Sequence, residues 1–350
     1  MKKNFKRFVA IVIATGMINI FTSVNTFAAN DTEDGYNYEL NYIEEVLPKY
    51  LVNNDIGLDD IYISDSFNVF NVELDETCTS DTYVVFEEDD IIGLLTVNEK
   101  NGEYFSSFEH GDFSELQNLY DSCANIAFVS YKEGLYVANN STNISIANKT
   151  SNTDFRVSGV DRYPIIKQTP ITPSRDGIDY YYRSNIDVPI VSNASNPYTD
   201  GGLCWAASIA SKYNYLTNSN WTALGLYYAL ESTYGGHPSG TDEWVQTAFA
   251  FLGMNDTQLT RMMDCIEILT QIENDNPIYM ELSRSGGSHA TVLCGITFLT
   301  DGNGIYRLMD SNRTVLVDVN VTANTMDRID PFYYATTYGY TYTNWYESWF

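Results

Sequence analysis

Apolar and polar positions alternate along this chain with two different periods. Residues 38–52 (YELNYIEEVLPKYLV) repeat their apolar positions at helical spacing, and Pro48 is expected to end or kink that helix. Residues 67–74, 82–87, 91–97 and 103–107 alternate with a period of two between polar turns, which predicts an antiparallel sheet. Residues 113–127 predict a second helix, and 127–131 with 134–137 a closing hairpin. From about residue 187 the pattern changes. Longer apolar helices are predicted at 203–216, 222–233, 242–252 and 262–273, then strands at 278–282, 289–298, 305–309 and 314–319. Helices followed by an antiparallel sheet indicate an α+β domain.

Between these halves, residues 139–186 have few apolar side chains. The stretch begins Asn/Ser/Thr-rich, continues through Pro164, Pro170 and Pro173, and carries Arg156, Arg162, Lys167, Arg175 and Arg183. It reads as a flexible linker: either a tether between two permanent domains or, since a trypsin-like protease would nick it most easily, a processing segment, the favoured reading. The expected organisation is a leader at 1–28, a small α+β domain at 29–138, the linker at 139–186 and a larger α+β domain at 187–350.

The leader reading rests on Lys2, Lys3, Lys6 and Arg7, an apolar run after them, and Thr26-Phe27-Ala28. That is the pattern of a secretory signal peptide cleaved after Ala28. The run is short and interrupted for a bilayer span, so a secreted, extracellular product is expected. The chain holds 46 acidic and 19 basic residues, a net charge of −27. Such acidity argues against nucleic acid and against an anionic membrane surface as partners. Five cysteines are present, an odd number; Cys78 and Cys123 are candidates to pair. There is no CxxC and no HExxH, so neither a metal nor a cofactor is expected.

The chemistry concentrates in three words. Gly201-Gly202-Leu203-Cys204-Trp205 puts a cysteine at the mouth of an apolar helix, where unpaired N–H groups favour a negative charge. The thiolate is the nucleophilic form; the plainer reading is a small buried hydrophobe. Gly286-Gly287-Ser288-His289 opens an apolar strand, which delivers an imidazole able to accept the thiol proton. Leu308-Met309-Asp310-Ser311-Asn312 ends the next strand with a group to hold the other ring nitrogen. Asp310 is favoured for that role, and Asn312 competes with it. His237, in a Gly-Gly-His-Pro loop, is read as a surface residue, and Cys265 and Cys294 as structural.

Cys, His and Asp in that order, in the words LCWAAS, HATVLCG and LMDSN, resemble the papain-like cysteine peptidases. More narrowly, the words resemble the compact bacterial branch, with its bacteriocin-leader, staphopain-like and streptopain-like peptidases. The resemblance covers about residues 187–350. Gly201 stands where plant papains carry a cysteine, and 85 residues separate Cys204 from His289, against roughly 130–150 in papain and cathepsins. The resemblance implies a secreted cysteine endopeptidase acting on peptide or protein substrates through Cys204, His289 and Asp310. It also implies an oxyanion hole completed by an amide side chain. No glutamine lies between Gln168 and Cys204, so Asn193 is the candidate and Asn196 the reserve. The N-terminal domain is similar in layout to the propeptides of streptopain-like zymogens, which implies an intramolecular inhibitor. A transglutaminase-like acyl transferase on the same triad, and a non-catalytic secreted binding protein, remain alternatives.

Overall fold

The computed structural model describes residues 34–72, 76–122, 125–131, 134–138, 143–145, 163–171, 180–199, 201–300, 303–313, 315–321, 332–336 and 340–350. The leader at 1–28, Cys123 and most of 139–162 lie outside them; Cys78 is described in its backbone alone. Within these residues the protein is mixed α+β, with six helices and a large, mostly antiparallel sheet.

The first helix, α1 (Asp34–Asn53), runs five residues beyond Pro48, so the proline does not end it. Ile43, Val46, Leu47, Tyr50 and Leu51 are buried on both sides of the proline. That apolar face outweighs the one backbone hydrogen bond proline removes. The strands β1 (Ile61–Ser64), β2 (Phe67–Asn71), β3 (Glu76–Glu87), β4 (Asp90–Lys100) and β5 (Glu103–His110) follow. After them come α2 (Ser114–Asp121), β6 (Asn125–Tyr131), β7 (Gly134–Ala138) and β8 (Asn143–Ser145). The helix predicted at 113–127 is therefore only eight residues long, and its last part is strand.

The stretch read as a flexible linker departs from that expectation. Its described parts form β9 (Tyr163–Pro164), β10 (Lys167–Ile171) and β11 (Tyr180–Asn185). β10 pairs with β1, and β11 pairs with residues 295–299. Pairing of this kind uses backbone groups, so a strand poor in apolar side chains can join a sheet without announcing itself in the hydropathy pattern.

The C-terminal half contains α3 (Cys204–Thr217), α4 (Ala223–Tyr234), α5 (Asp242–Phe251), β12 (Gln258–Leu259) and α6 (Cys265–Glu273). The strands β13 (Ile278–Arg284), β14 (Gly287–Leu299), β15 (Gly304–Asp310) and β16 (Leu316–Val321) come next. Two short strands, β17 (Tyr334–Ala335) and β18 (Thr341–Tyr342), pair with each other, and β19 (Asn344–Trp349) ends the chain beside β13 and β12. The sheet runs β12–β19–β13–β14–β15–β16 and does not stop there. β16 pairs with β5, Leu316 to Val319 against His110 to Ser107, so the two halves share one sheet.

They also share cores. Leu299 and Ile305 pack in the cluster built on α1, with Tyr50, Leu51 and Phe108. Polar groups follow the same route: Asn53 and Asn54 Nδ2 each donate to Asp318 Oδ2 at 2.7 Å, and Arg307 bridges Asp318 and Asn54. Arg313 and Glu109, each 1% exposed, form a buried ion pair across the junction. Removing one partner of such a pair strands the other charge in the interior, at about 3–5 kcal/mol. Glu109→Ala is therefore expected to lower the unfolding free energy by that amount in urea titration. Asp89→Ala, at the exposed Lys167–Asp89 pair, should cost no more than about 1 kcal/mol.

Candidate active site

Cys204 is the first residue of α3, and Leu203 is its cap. Almost the whole first half of this helix is buried, and its small residues Ala206, Ala207, Ser208, Ala210 and Ser211 let it sit close to its neighbours. One helical turn after Cys204, Ser208 Oγ donates to the Ala290 carbonyl at 3.0 Å. Residues four apart share a helix face. This bond therefore fixes the cysteine's face against the residue that follows His289.

The loop before the helix is equally constrained. Ser195 and Gly202 form an antiparallel bridge, Leu203 N donates to Ala194 O at 2.8 Å, and Asn196 N to Gly201 O at 2.8 Å. The Asn193 side chain thereby lies against Gly202. A Cβ at position 202 would sit 2.6 Å from Asn193 Nδ2, so this close approach requires glycine.

His289 sits on β14 opposite Leu282, with Asp310 opposite Thr291 on the neighbouring strand. His289 and Thr291 are two apart and share a face, which brings Asp310 diagonally to the ring. His289 Nε2 and Asp310 Oδ1 are 2.8 Å apart, and both side chains are fully buried. The competition between Asp310 and Asn312 resolves in favour of Asp310. Asn312 does something else: its backbone N–H donates to Asp310 Oδ1 at 2.9 Å, and its Oδ1 accepts from Asn193 Nδ2 at 2.7 Å. One turn thus carries both the acid and the holder of the amide.

The second ring nitrogen, Nδ1, is buried and has no partner that meets hydrogen-bond geometry. The Cys204 side chain contributes to raising the ring's pKa; with Nε2 on Asp310, Nδ1 is the nitrogen left open. Burial pulls the imidazole pKa down. Asp310 overrides it with charge and hydrogen bond, and the net shift is well above the usual value. Burial likewise opposes ionisation of Asp310, but His289, the Asn312 N–H and the Tyr334 hydroxyl bring its pKa down to about 2.

Two aromatic residues that no sequence motif marks complete the surroundings. Tyr334 donates to Asp310 Oδ2 at 2.8 Å, and the Tyr342 ring stacks on His289 with centroids 5.3 Å apart. Sequence signals for them are weak, because both lie in a Tyr/Thr-rich stretch without aliphatic periodicity.

The remaining candidates lie elsewhere. Asn196 Oδ1 accepts from Tyr198 N within its loop. The His237 side chain is 60% exposed and stacks on Tyr198, with Glu231 at 3.3 Å. Cys265 and Cys294 are buried free thiols whose ionisation burial opposes. Among the described residues, no cluster of His, Cys, Asp and Glu is placed to hold a metal ion. No described helix is long and apolar enough to cross a membrane.

No family model matches the chain, and no curated protein matches it.

The arrangement places a thiol at a helix mouth and, on the neighbouring strands, an imidazole bonded to a carboxylate. The His289–Asp310 pair also sets a pH dependence. Asp310 titrates at about 2 in the folded chain against an ordinary 3.8. Its contribution is therefore complete above roughly pH 4–5 and is lost as pH falls towards 2. The raised His289 value gives the complementary limb: the same interaction is lost as pH rises through the folded-state pKa. Both describe one interaction, counted once, on the order of 2 kcal/mol. Acid unfolding curves of wild type and Asp310→Asn should converge by that amount between pH 5 and pH 2.

Proposed function

We propose that this protein is a cysteine-type peptidase that cleaves peptide bonds through a covalent acyl-enzyme. The observation that carries this reading is the buried imidazole with one nitrogen on a carboxylate and the other beside the Cys204 thiol. A purely structural histidine would gain from pairing both nitrogens. An unpaired nitrogen next to a thiol is what a general base needs before substrate arrives.

In this mechanism the thiol proton rests on His289, whose pKa is held well above the usual value, and the Cys204 thiolate attacks the substrate carbonyl. The negative charge on the carbonyl oxygen is met by the Cys204 backbone N–H, free of an intrahelical partner at the first turn, and by Asn193 Nδ2. That amide has two N–H donors, and one is committed to Asn312. His289 returns its proton to the leaving amine. Water then attacks the thioester with the same imidazole as base. Asp310 keeps the ring oriented and stabilises the imidazolium, without itself taking the proton. The likeness of the three sequence words to papain-like peptidases supports peptides as substrates. The leader pattern at residues 1–28 supports export as the site of action.

The test is hydrolysis of denatured casein by purified full-length protein, paired with iodoacetamide labelling. Wild type is expected to hydrolyse casein and to be alkylated selectively at Cys204 rather than at Cys265 or Cys294. Cys204→Ala and His289→Ala should each reduce kcat at least about 10³-fold. Hydrolysis that survives Cys204→Ala would end the proposal. Asn193→Ala is expected to lower kcat by roughly 10²–10³ with little change in KM, as loss of one oxyanion donor does.

A further inference from the structure

The two faces of β5 hold different things. Tyr104, Ser106 and Phe108 face α1: Tyr104 stacks on Tyr42, the Tyr50 hydroxyl donates to Ser106 O at 2.8 Å, and the Tyr50 and Phe108 rings stack. Phe105, Ser107 and Glu109, the alternate positions, face the C-terminal half. Phe105 stacks on Tyr333 with centroids 4.9 Å apart, the Ser107 hydroxyl donates to Ala335 O, and Glu109 pairs with Arg313. From β4, Asn98 Nδ2 donates to Thr341 Oγ1 at 3.0 Å, and the Lys100 ammonium lies 5.1 Å over the Tyr333 ring.

All these contacts converge on the two short strands β17 and β18 and on the turn after Asp310. They are the elements that carry Tyr334, which bonds Asp310, and Tyr342, which stacks on His289. Arg313 is three residues beyond Asp310, and its N–H donates to the Asp310 carbonyl. A continuous line of buried and half-buried contacts therefore runs from the N-terminal domain to both members of the His–Asp pair. We propose that the β4–β5 hairpin is a positioning element of the catalytic site, with Asn98, Phe105 and Ser107 as positioning residues that act through Tyr334 and Tyr342. The inference rests on the peptidase reading above. It gives the N-terminal domain the opposite role to a removable inhibitor: the domain stays and completes the site.

The physical logic is that of a supporting shell. A buried imidazole keeps its reactive orientation only while its neighbours have no alternative packing. Tyr334 and Tyr342 sit on two-residue strands, too short to hold themselves. The hairpin packs against them from one side, and β13 holds β18 from the other through the Thr343 N–H to Ser283 O bond.

The test uses the full chain and two readouts, casein kcat and the pH profile of iodoacetamide alkylation at Cys204. Asn98→Ala and Phe105→Ala are each expected to lower kcat at least tenfold at unchanged KM and to shift the alkylation profile; Phe105→Tyr should restore both. Unchanged kcat and profile in folded Asn98→Ala and Phe105→Ala would overturn the proposal. Where Phe105→Ala does not fold, Asn98→Ala and Ser107→Ala carry the same comparison. A sequence-specific protease site placed between residues 145 and 163 gives the second arm. After cutting, the two pieces are expected to co-elute in gel filtration with activity retained. Separation accompanied by higher activity of the C-terminal piece would overturn the proposal in favour of an inhibitor. Absence of selective Cys204 labelling in the wild type would instead bring down the peptidase reading, and this proposal with it.

Discussion

The His289 side chain is fully buried, and its two nitrogens are treated unequally: one is bonded to a carboxylate, the other is left without a bond. Burying an ionisable ring is costly unless a charge compensates it. Asp310 supplies that charge, and three further groups hold Asp310 in turn: the Asn312 N–H, the Tyr334 hydroxyl and the Arg313 turn. Much of what surrounds the site follows from this constraint. The helix bearing Cys204 is pinned to the neighbouring residue by Ser208, and the amide loop is pinned to the same turn through Asn193 and Asn312. Three segments far apart in sequence meet where the ring needs them.

The composition explains how so acidic a chain can bury carboxylates at all. Cations are scarce, 19 against 46 acids, while tyrosines number 28. Besides those that pair with Arg313 and Arg307, several buried or half-buried acids take their hydrogen bonds from aromatic donors. Glu281 accepts from Tyr279 and Tyr346, Glu347 from the Trp349 indole, Glu39 from Tyr83, and Asp310 from Tyr334. A phenol donates without carrying charge, so the carboxylate is satisfied but not neutralised. Burial raises the pKa of Glu39, Glu281 and Glu347. Asp310, which faces an imidazolium as well, goes the other way. Tyr83, Tyr279, Tyr334 and Tyr346 thus serve as internal ligands for acids.

The sequence was most informative where one period dominates a long segment. The helices bearing Cys204 and Cys265 and the strands bearing His289 and Asp310 fall within a few residues of their expected limits. The triad candidates are readable because each sits at an element boundary beside a distinctive word. Three things were not readable. Asn344–Trp349 is a central partner of β13, yet NWYESW has no aliphatic alternation. Asn312 looked like a rival to Asp310, because only the folded turn shows that one residue bonds the ring while the other bonds Asn193. The pairing of β5 with β16 joins residues about 200 positions apart, and hydropathy carries no information about which strand edges meet. For that reason the chain read as two domains on a tether, while the folded molecule presents a shared sheet.

That shared sheet has a bearing on where this chain can be divided. Residues Leu316–Val319 use one set of backbone donors and acceptors on β15 and the other on β5. A fragment starting near residue 187 would leave the second set unsatisfied along Leu-Val-Asp-Val, a mostly apolar edge open to any passing strand. Arg313 and Asp318 would lose Glu109 and the α1 asparagines at the same moment. For this fold, self-association of the trimmed fragment is a more immediate hazard than loss of helix or core.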